Sequence, residues 1–340
     1  MERKNTFSLL RMGLFMMFAL LVVFGITSCS SDDDDEGNAP SKFEEPLYKA
    51  DAAKFTVTDG SSEIKSIELT EAGNFIIRLN NTANYAPKTE KPLARLLKKN
   101  IMISPYLAAE ADKSATRAEI VVWSDILYGK YTKTGDNEYT LDGYGTLTVV
   151  SEGGSAYSLR IEKTDGVTVD LEANKAGTPE SGSMTDNLCR TWNIDGFRYY
   201  IRINGKTFFD ETSTSIEELT EKLNKWMQEM DPDYTEDDSE VLFEYEPKQF
   251  VFSKSGTYMV LYTNDMLAVS TWRWGDQSNG ILEYSWNPDT FDDNYLSGEA
   301  KIEFSNNKLF ITEGNSESED GITFEVASVI ILSEATASGR

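Results

Sequence analysis

Four aromatic residues, Trp272, Trp274, Tyr284 and Trp286, stand at two-residue spacing on either side of a polar turn, Gly275-Asp276-Gln277-Ser278-Asn279-Gly280. Alternate side chains of a strand share one face, so Trp272 points with Trp274 and Tyr284 with Trp286. Such a set either lines a barrel interior, the commoner fate of large aromatics, or forms an exposed stacking platform for sugars and other apolar faces. These four are the candidate ligand-binding residues. Catalytic candidates are harder to find. The chain has no histidine, which removes Ser-His-Asp and Cys-His nucleophile systems and histidine metal sites. No Gly-rich phosphate loop is present. A glycosidase needs only two carboxylates, but 57 Asp and Glu residues offer no basis for choosing a pair. Residues 231–240 approach a calcium loop through Asp231 and Asp233. Glu236, however, stands where that loop needs glycine, and Leu242 where it needs glutamate. The stretch reads better as an acidic, solvated loop. No catalytic residue, metal ligand or cofactor is expected, and the chain reads as non-enzymatic.

The other residue with chemistry of its own is Cys29. Arg3, Lys4 and Arg11 make a positive start, Leu14 to Ile26 is a charge-free run, and Thr27-Ser28-Cys29 follows. This is the three-part pattern of a secretory signal, and the apolar run is too short to cross a membrane, which takes roughly 20 residues. Ile26-Thr27-Ser28-Cys29 resembles the bacterial lipobox. That resemblance implies cleavage before Cys29, lipid on its thiol, and a membrane as the first partner. Two or three acyl chains, at about 0.8 kcal/mol per buried CH₂, hold a soluble protein on a bilayer. Ser30-Ser31 with Asp32, Asp33, Asp34, Asp35 and Glu36 is similar to the acidic stretch behind the lipidated cysteine in surface-exposed lipoproteins of the Bacteroidota. The likeness implies an outer-membrane protein facing the cell exterior. As plain chemistry, the same run is a self-repelling tether.

Composition narrows the partners. The chain carries 32 Lys and Arg against 57 Asp and Glu, a formal net charge of −25. Residues 1–28 hold three basic and one acidic residue, so the mature chain is more negative still. Phosphates would be repelled, and no nucleic-acid partner is expected. With Cys29 acylated, Cys189 is left without a disulfide partner. Its place at the head of an apolar segment predicts a buried structural thiol.

The elements around these residues are mostly β. Short strands recur at 8 to 12 residues, punctuated by Gly135-Asp136-Asn137, Gly153-Gly154 and Asp165-Gly166, a spacing that suggests antiparallel barrels or sandwiches. Residues 173–186 hold little that packs and mark a linker. Ser215 and Glu218 form a capping-box pattern. The apolar positions Ile216, Leu219, Leu223, Trp226, Met227 and Met230 then predict one helix over about 215–230, stopped by Pro232. The division is a signal peptide at 1–28, a tether at 29–45, a β-domain at 46–172, the linker, and a second β-domain at 187–335. An internal echo links the halves: Ile67 to Ile77 and Phe250 to Val260 share a pattern of strand, polar turn with glycine, aromatic and strand. Gly143-Tyr-Gly-Thr-Leu and Gly298-Glu-Ala-Lys-Ile recur later in each.

Leu188 with Trp192, Phe252 to Tyr258, the Trp272–Trp274 strand, and Ile302-Glu-Phe304 with Leu309-Phe-Ile311 together resemble the lipocalin-like domains of Bacteroidota lipoproteins. Arg190 departs from that pattern, which has glycine there. The resemblance covers under half the chain and implies a barrel with the 215–230 helix as an insertion. The expected function is non-enzymatic binding of a small apolar ligand or a glycan at the cell surface. The alternatives are a structural or protein-binding component of the envelope and, further off, a carboxylate-based hydrolase.

Overall fold

A computed structural model describes residues 53–80, 102, 120–122, 126–178, 181–230, 246–263, 267–287, 291, 298–319 and 321–335. Cys29, the tether and the acidic loop after residue 230 lie outside these. The protein is mostly β and forms two closed, antiparallel, eight-stranded barrels in tandem.

In the first barrel the strands are β1 (Ala53–Val57), β2 (Ile64–Leu69), β3 (Asn74–Leu79), β5 (Ile126–Lys133), β6 (Glu138–Leu141), β7 (Gly145–Gly153), β8 (Ala156–Lys163) and β9 (Thr168–Lys175). Each pairs with the next in sequence, and β9 returns to β1. The short β4 (Ile120–Val122) rides outside on β5. Closure follows from the period-two pattern. Alternate residues such as Ile67 and Leu69, Phe75 and Ile77, and Leu159 and Ile161 all enter one apolar core, and a closed barrel leaves no main-chain edge to protect.

The second barrel repeats this order with β10 (Thr191–Ile203), β12 (Pro247–Phe252), β13 (Thr257–Tyr262), β14 (Leu267–Asp276), β15 (Ile281–Ser285), β16 (Gly298–Ser305), β17 (Lys308–Glu319) and β18 (Ile322–Glu334). It closes along the β10–β18 ladder, from Trp192 opposite Glu334 to Ile203 opposite Phe324. Between the first two strands the chain inserts β11 (Lys206–Ser213), an added strand on β10, and a helix. This is α2 (Ile216–Met230), as the sequence pattern predicts. The Ser215 hydroxyl accepts the Glu218 amide at 3.1 Å, and the Ile216 amide donates to the Glu246 carboxylate at 2.7 Å. A negative group at a helix start also meets the positive end of the dipole. The apolar stripe of α2 packs on the second core.

The linker expected at 173–186 is narrower than its composition suggests. β9 continues to Lys175, because Ala173 still faces the first core. A short helix, α1 (Ser183–Leu188), precedes β10. Leu188 is fully buried and Met184 packs on the second core. The Thr185 hydroxyl accepts the Trp274 indole N–H and a Gln277 amide N–H, both at 2.8 Å. The Leu188 carbonyl accepts the Trp192 indole at 2.9 Å. Thr185, which reads as linker, thus satisfies the ring nitrogen of one buried tryptophan, and the Leu188 carbonyl at the end of α1 that of another.

The internal echo is structural. In both barrels it falls on the second and third strands, and the hydrogen bonds repeat: Thr70 with Asn74 and Gly73, and Ser253 with Thr257 and Gly256. Gly73 and Gly256 take φ of 73° and 83°, the left-handed conformation that favours glycine. Their carbonyls accept the amides of Tyr131 and Trp272, on the fourth strand of each barrel. The equivalent outer faces also meet. Ile76 and Ile126 of the first barrel pack with Val251, Met259, Leu267 and Val269 of the second. Around this patch the Ser255 hydroxyl donates to Glu68, and the Lys254 amide donates to Glu71 at 3.1 Å. Replacing Ile76 with Asp puts an unpaired charge in the joint. Calorimetry should then resolve two melting transitions where the unaltered chain gives one; a single unshifted transition would show that the barrels are not coupled through this patch.

Candidate functional site

Trp272, Trp274 and Tyr284 all face the interior of the second barrel. Trp272 and Tyr284 are essentially inaccessible and Trp274 is buried beside them, while Trp286 is half-buried against the same core. Trp272 and Trp274 meet edge to face at 5.5 Å, and Phe252 meets Trp272 in the same way at 6.2 Å. Of the two arrangements open to this set, the structure has the barrel lining; the exposed platform does not form. The alternation on β14 and β15 explains it, since inward positions of a closed barrel must fill a common core.

Tyr284 carries the polar chemistry. Its hydroxyl donates to the carboxylate of Glu313, a buried residue on β17. Glu313 follows Leu309 and Ile311 at period two and therefore points inward with them. Gly298, opposite Tyr284 on β16, has no side chain, and the phenol ring lies where its Cβ would be. Ala300 is the next inward residue of that strand. These two small residues give the phenol its path towards β17. Beside this pair, Tyr258 and Tyr284 meet edge to face at 6.4 Å. The Tyr258 and Ser270 hydroxyls are both buried and lie opposite each other across the β13–β14 ladder, where each is the other's polar neighbour. The Met102 amide is a further donor to Glu313, and Met102 is wholly buried in the second core.

Burial pushes the Glu313 carboxyl up to about 8, against the opposing pull of Tyr284 and the Met102 amide. Burial likewise raises Tyr258 and Tyr284. At neutral pH the carboxyl is therefore mostly protonated, a neutral hydrogen-bonding group within an aromatic wall. α2 packs on β10 and β11 and borders a cavity of about 30 Å³. Ile216, Leu219 and Leu223 of the helix line it with Phe197, Ser328 and Ile330. Ser328 sits opposite Glu313 in the β17–β18 ladder, and its hydroxyl donates to the Glu313 main-chain carbonyl at 3.4 Å.

Sequence reasoning named Tyr284 but missed Glu313, Tyr258 and Ser270. The signal was present: Glu313 interrupts a run of apolar inward positions. It was lost among the many other carboxylates. Among the described residues no group of three His, Cys, Asp or Glu could hold a metal ion, and no helix is long and apolar enough to cross a membrane. Cys189 is buried, and burial raises its thiol well above its ordinary range, which makes it inert.

Two consequences can be measured. Glu313 and, at the joint, Glu71 have carboxyls raised by burial to about 8 and about 7 from 4.5. Between those values the folded chain keeps protons that the unfolded chain releases. Stability from these groups is therefore complete below pH 4.5 and lost as pH rises through 7 and 8, at about 1.4 kcal/mol per unit per group. Urea denaturation at pH 5, 7 and 9 should show a smaller loss in Glu313→Gln than in the unaltered protein. Trp272→Ala should cost about 3–5 kcal/mol, as removal of a packed core residue does.

No protein-family model matches the chain, and no curated protein does. Among solved structures, one similar chain is a candidate outer membrane protein of Bacteroides fragilis, at 11% identity over 68% of this chain and 92% of that one, with a TM-score of 0.21. Another is a protein of unknown function from the DUF3598 family of Nostoc punctiforme, at 8% identity over 84% and 94%, with a TM-score of 0.17.

Proposed function

We propose that this chain is a non-enzymatic envelope protein, anchored by lipid on Cys29 and displayed outward, whose second barrel binds a small, mostly apolar molecule bearing one polar group. The observation that supports this reading is the polar cluster of Glu313, Tyr284, Tyr258 and Ser270 inside the otherwise apolar core of a barrel that also holds a small cavity under α2. Polar groups carried into an apolar core gain little even where they pair with one another, since each gives up its bonds to water. A barrel shaped for stability alone is better filled with Phe and Ala at these positions. A ligand's polar group offers this cluster a further partner. The cavity of about 30 Å³ has room for a water or two, whereas a ligand site takes about 300–1,000 Å³. Binding on this reading expands the cavity by displacing α2 from the barrel. The buried position of Trp272, Trp274 and Tyr284 favours an apolar ligand over a glycan, because it leaves their rings no open face to stack a sugar.

The anchor and the site are tested separately. Cys29→Ser should abolish incorporation of labelled fatty acid and release the chain from membranes; retained label would sink the lipid anchor. The full chain in lipid nanodiscs, screened against apolar molecules bearing single amine, hydroxyl or carboxyl groups, should gain several degrees in melting midpoint with one class. Tyr258→Phe should reduce that gain. Unchanged midpoints across the whole panel would remove the ligand reading.

A further inference from the structure

We propose that Met102 is an internal plug of the second barrel. Lent by the first barrel, it seats in the second core, withdraws while both barrels stay folded, and governs the entry of apolar molecules to that core. The inference stands without the ligand reading above, because the occupant of the seat is a residue of this chain.

Four observations carry it. First, Met102 falls between β3, which ends at Leu79, and β4, which begins at Ile120, so by sequence it belongs to the first barrel. It is nevertheless wholly buried in the second core. Every other described member of that core comes from Met184 onward. Met102 is thus a guest in a core otherwise built from one continuous stretch of chain.

Second, the first barrel has no need of the length that carries Met102. β3 and β5 are paired antiparallel neighbours, and a turn of about 2–5 residues suffices to join such a pair. The chain instead runs from residue 80 to 119 and places a side chain in the other barrel. Third, the second barrel closes without the guest. Its strands complete the ring through their own ladders, from β10 with β12 round to β10 with β18. Withdrawing Met102 breaks none of these main-chain bonds.

Fourth, the plug is attached as a ligand would be. Its amide donates to the Glu313 carboxylate, and its side chain is an unbranched thioether among apolar residues. Such a side chain is flexible and fits irregular gaps, so it can leave and return without a matched rearrangement of its surroundings. Tethering keeps it at high effective concentration beside the seat. An apolar molecule and the plug exclude each other from the same space, so each lowers the occupancy of the other.

The test follows sulfoxide formation by dilute hydrogen peroxide in the unaltered full chain in nanodiscs, resolved by peptide mass spectrometry. Oxidation of a thioether follows its exposure. Met259, on β13 and likewise buried in the joint between the barrels, is the internal standard. Met102 should oxidise at least tenfold faster than Met259, with tryptophan emission unchanged. The apolar fluorescent probe N-phenyl-1-naphthylamine should raise the Met102 rate severalfold and leave the Met259 rate alone. Met102→Ala should bind that probe at least tenfold more tightly than the unaltered chain does. If that variant does not fold, the oxidation rates in the unaltered chain decide alone. Equal oxidation of the two methionines would overturn the plug while leaving the cavity under α2 as a ligand site. A Met102 rate indifferent to the probe would overturn its control of entry.

Discussion

Closure of each sheet on itself is the constraint from which the remaining structure follows. Once β10 pairs with β18 and β1 with β9, every strand has one face in a shared core and no main-chain edge is left in the ring. Each inward position must then be filled by a side chain of the right volume. Large rings at Trp192, Phe250, Phe252, Tyr258, Trp272 and Tyr284 fill the second barrel. They bring with them indole and phenol groups that need partners. Much of the irregular structure around the barrel answers that need: α1 supplies Thr185 and the Leu188 carbonyl to two indoles, and the Ser253 carbonyl accepts a third, from Trp272, at 3.2 Å.

The same closure makes the inward polar groups conspicuous. The Glu313 carboxyl is buried inside, bonded to the Tyr284 hydroxyl and the Met102 amide, and the hydroxyls of Tyr258 and Ser270 face each other in the same core. A polar cluster in an apolar core adds little stability, and the same barrel carries a small cavity where the inserted helix packs on it. The helix is the only long one among the described residues and interrupts an otherwise simple meander between its first two strands.

The joint between the barrels uses the opposite face of the same strands. Residues 251, 259 and 269 alternate with inward residues 250, 252, 258 and 268, so one strand serves a barrel core and the contact between barrels at once. Such strands are apolar on both faces, as in sheets buried on both sides. That is why Phe250 to Phe252 and Tyr258 to Val260 read as continuous apolar runs rather than as alternations. The first barrel gives the joint a more polar face, with Glu68 and Glu71 buried against the Ser255 hydroxyl and the Lys254 amide.

The sequence by itself determined the local elements: the β-rich composition, the turns at Gly73 and Gly256, the capped helix after Ser215, and the duplicated hairpin that places equivalent strands in both halves. These depend on neighbours a few residues apart, through backbone conformation and alternation, and so can be read along the chain. Whether Trp272, Trp274 and Tyr284 pointed into a core or out to solvent was a different kind of question. Period two divides a strand into two faces but does not say which is inside; the ring of strands decides that. Likewise Glu313 is one acid among many in the sequence. It becomes singular only when β15, β16 and β17 lie side by side, with Gly298 leaving space for a phenol to reach it.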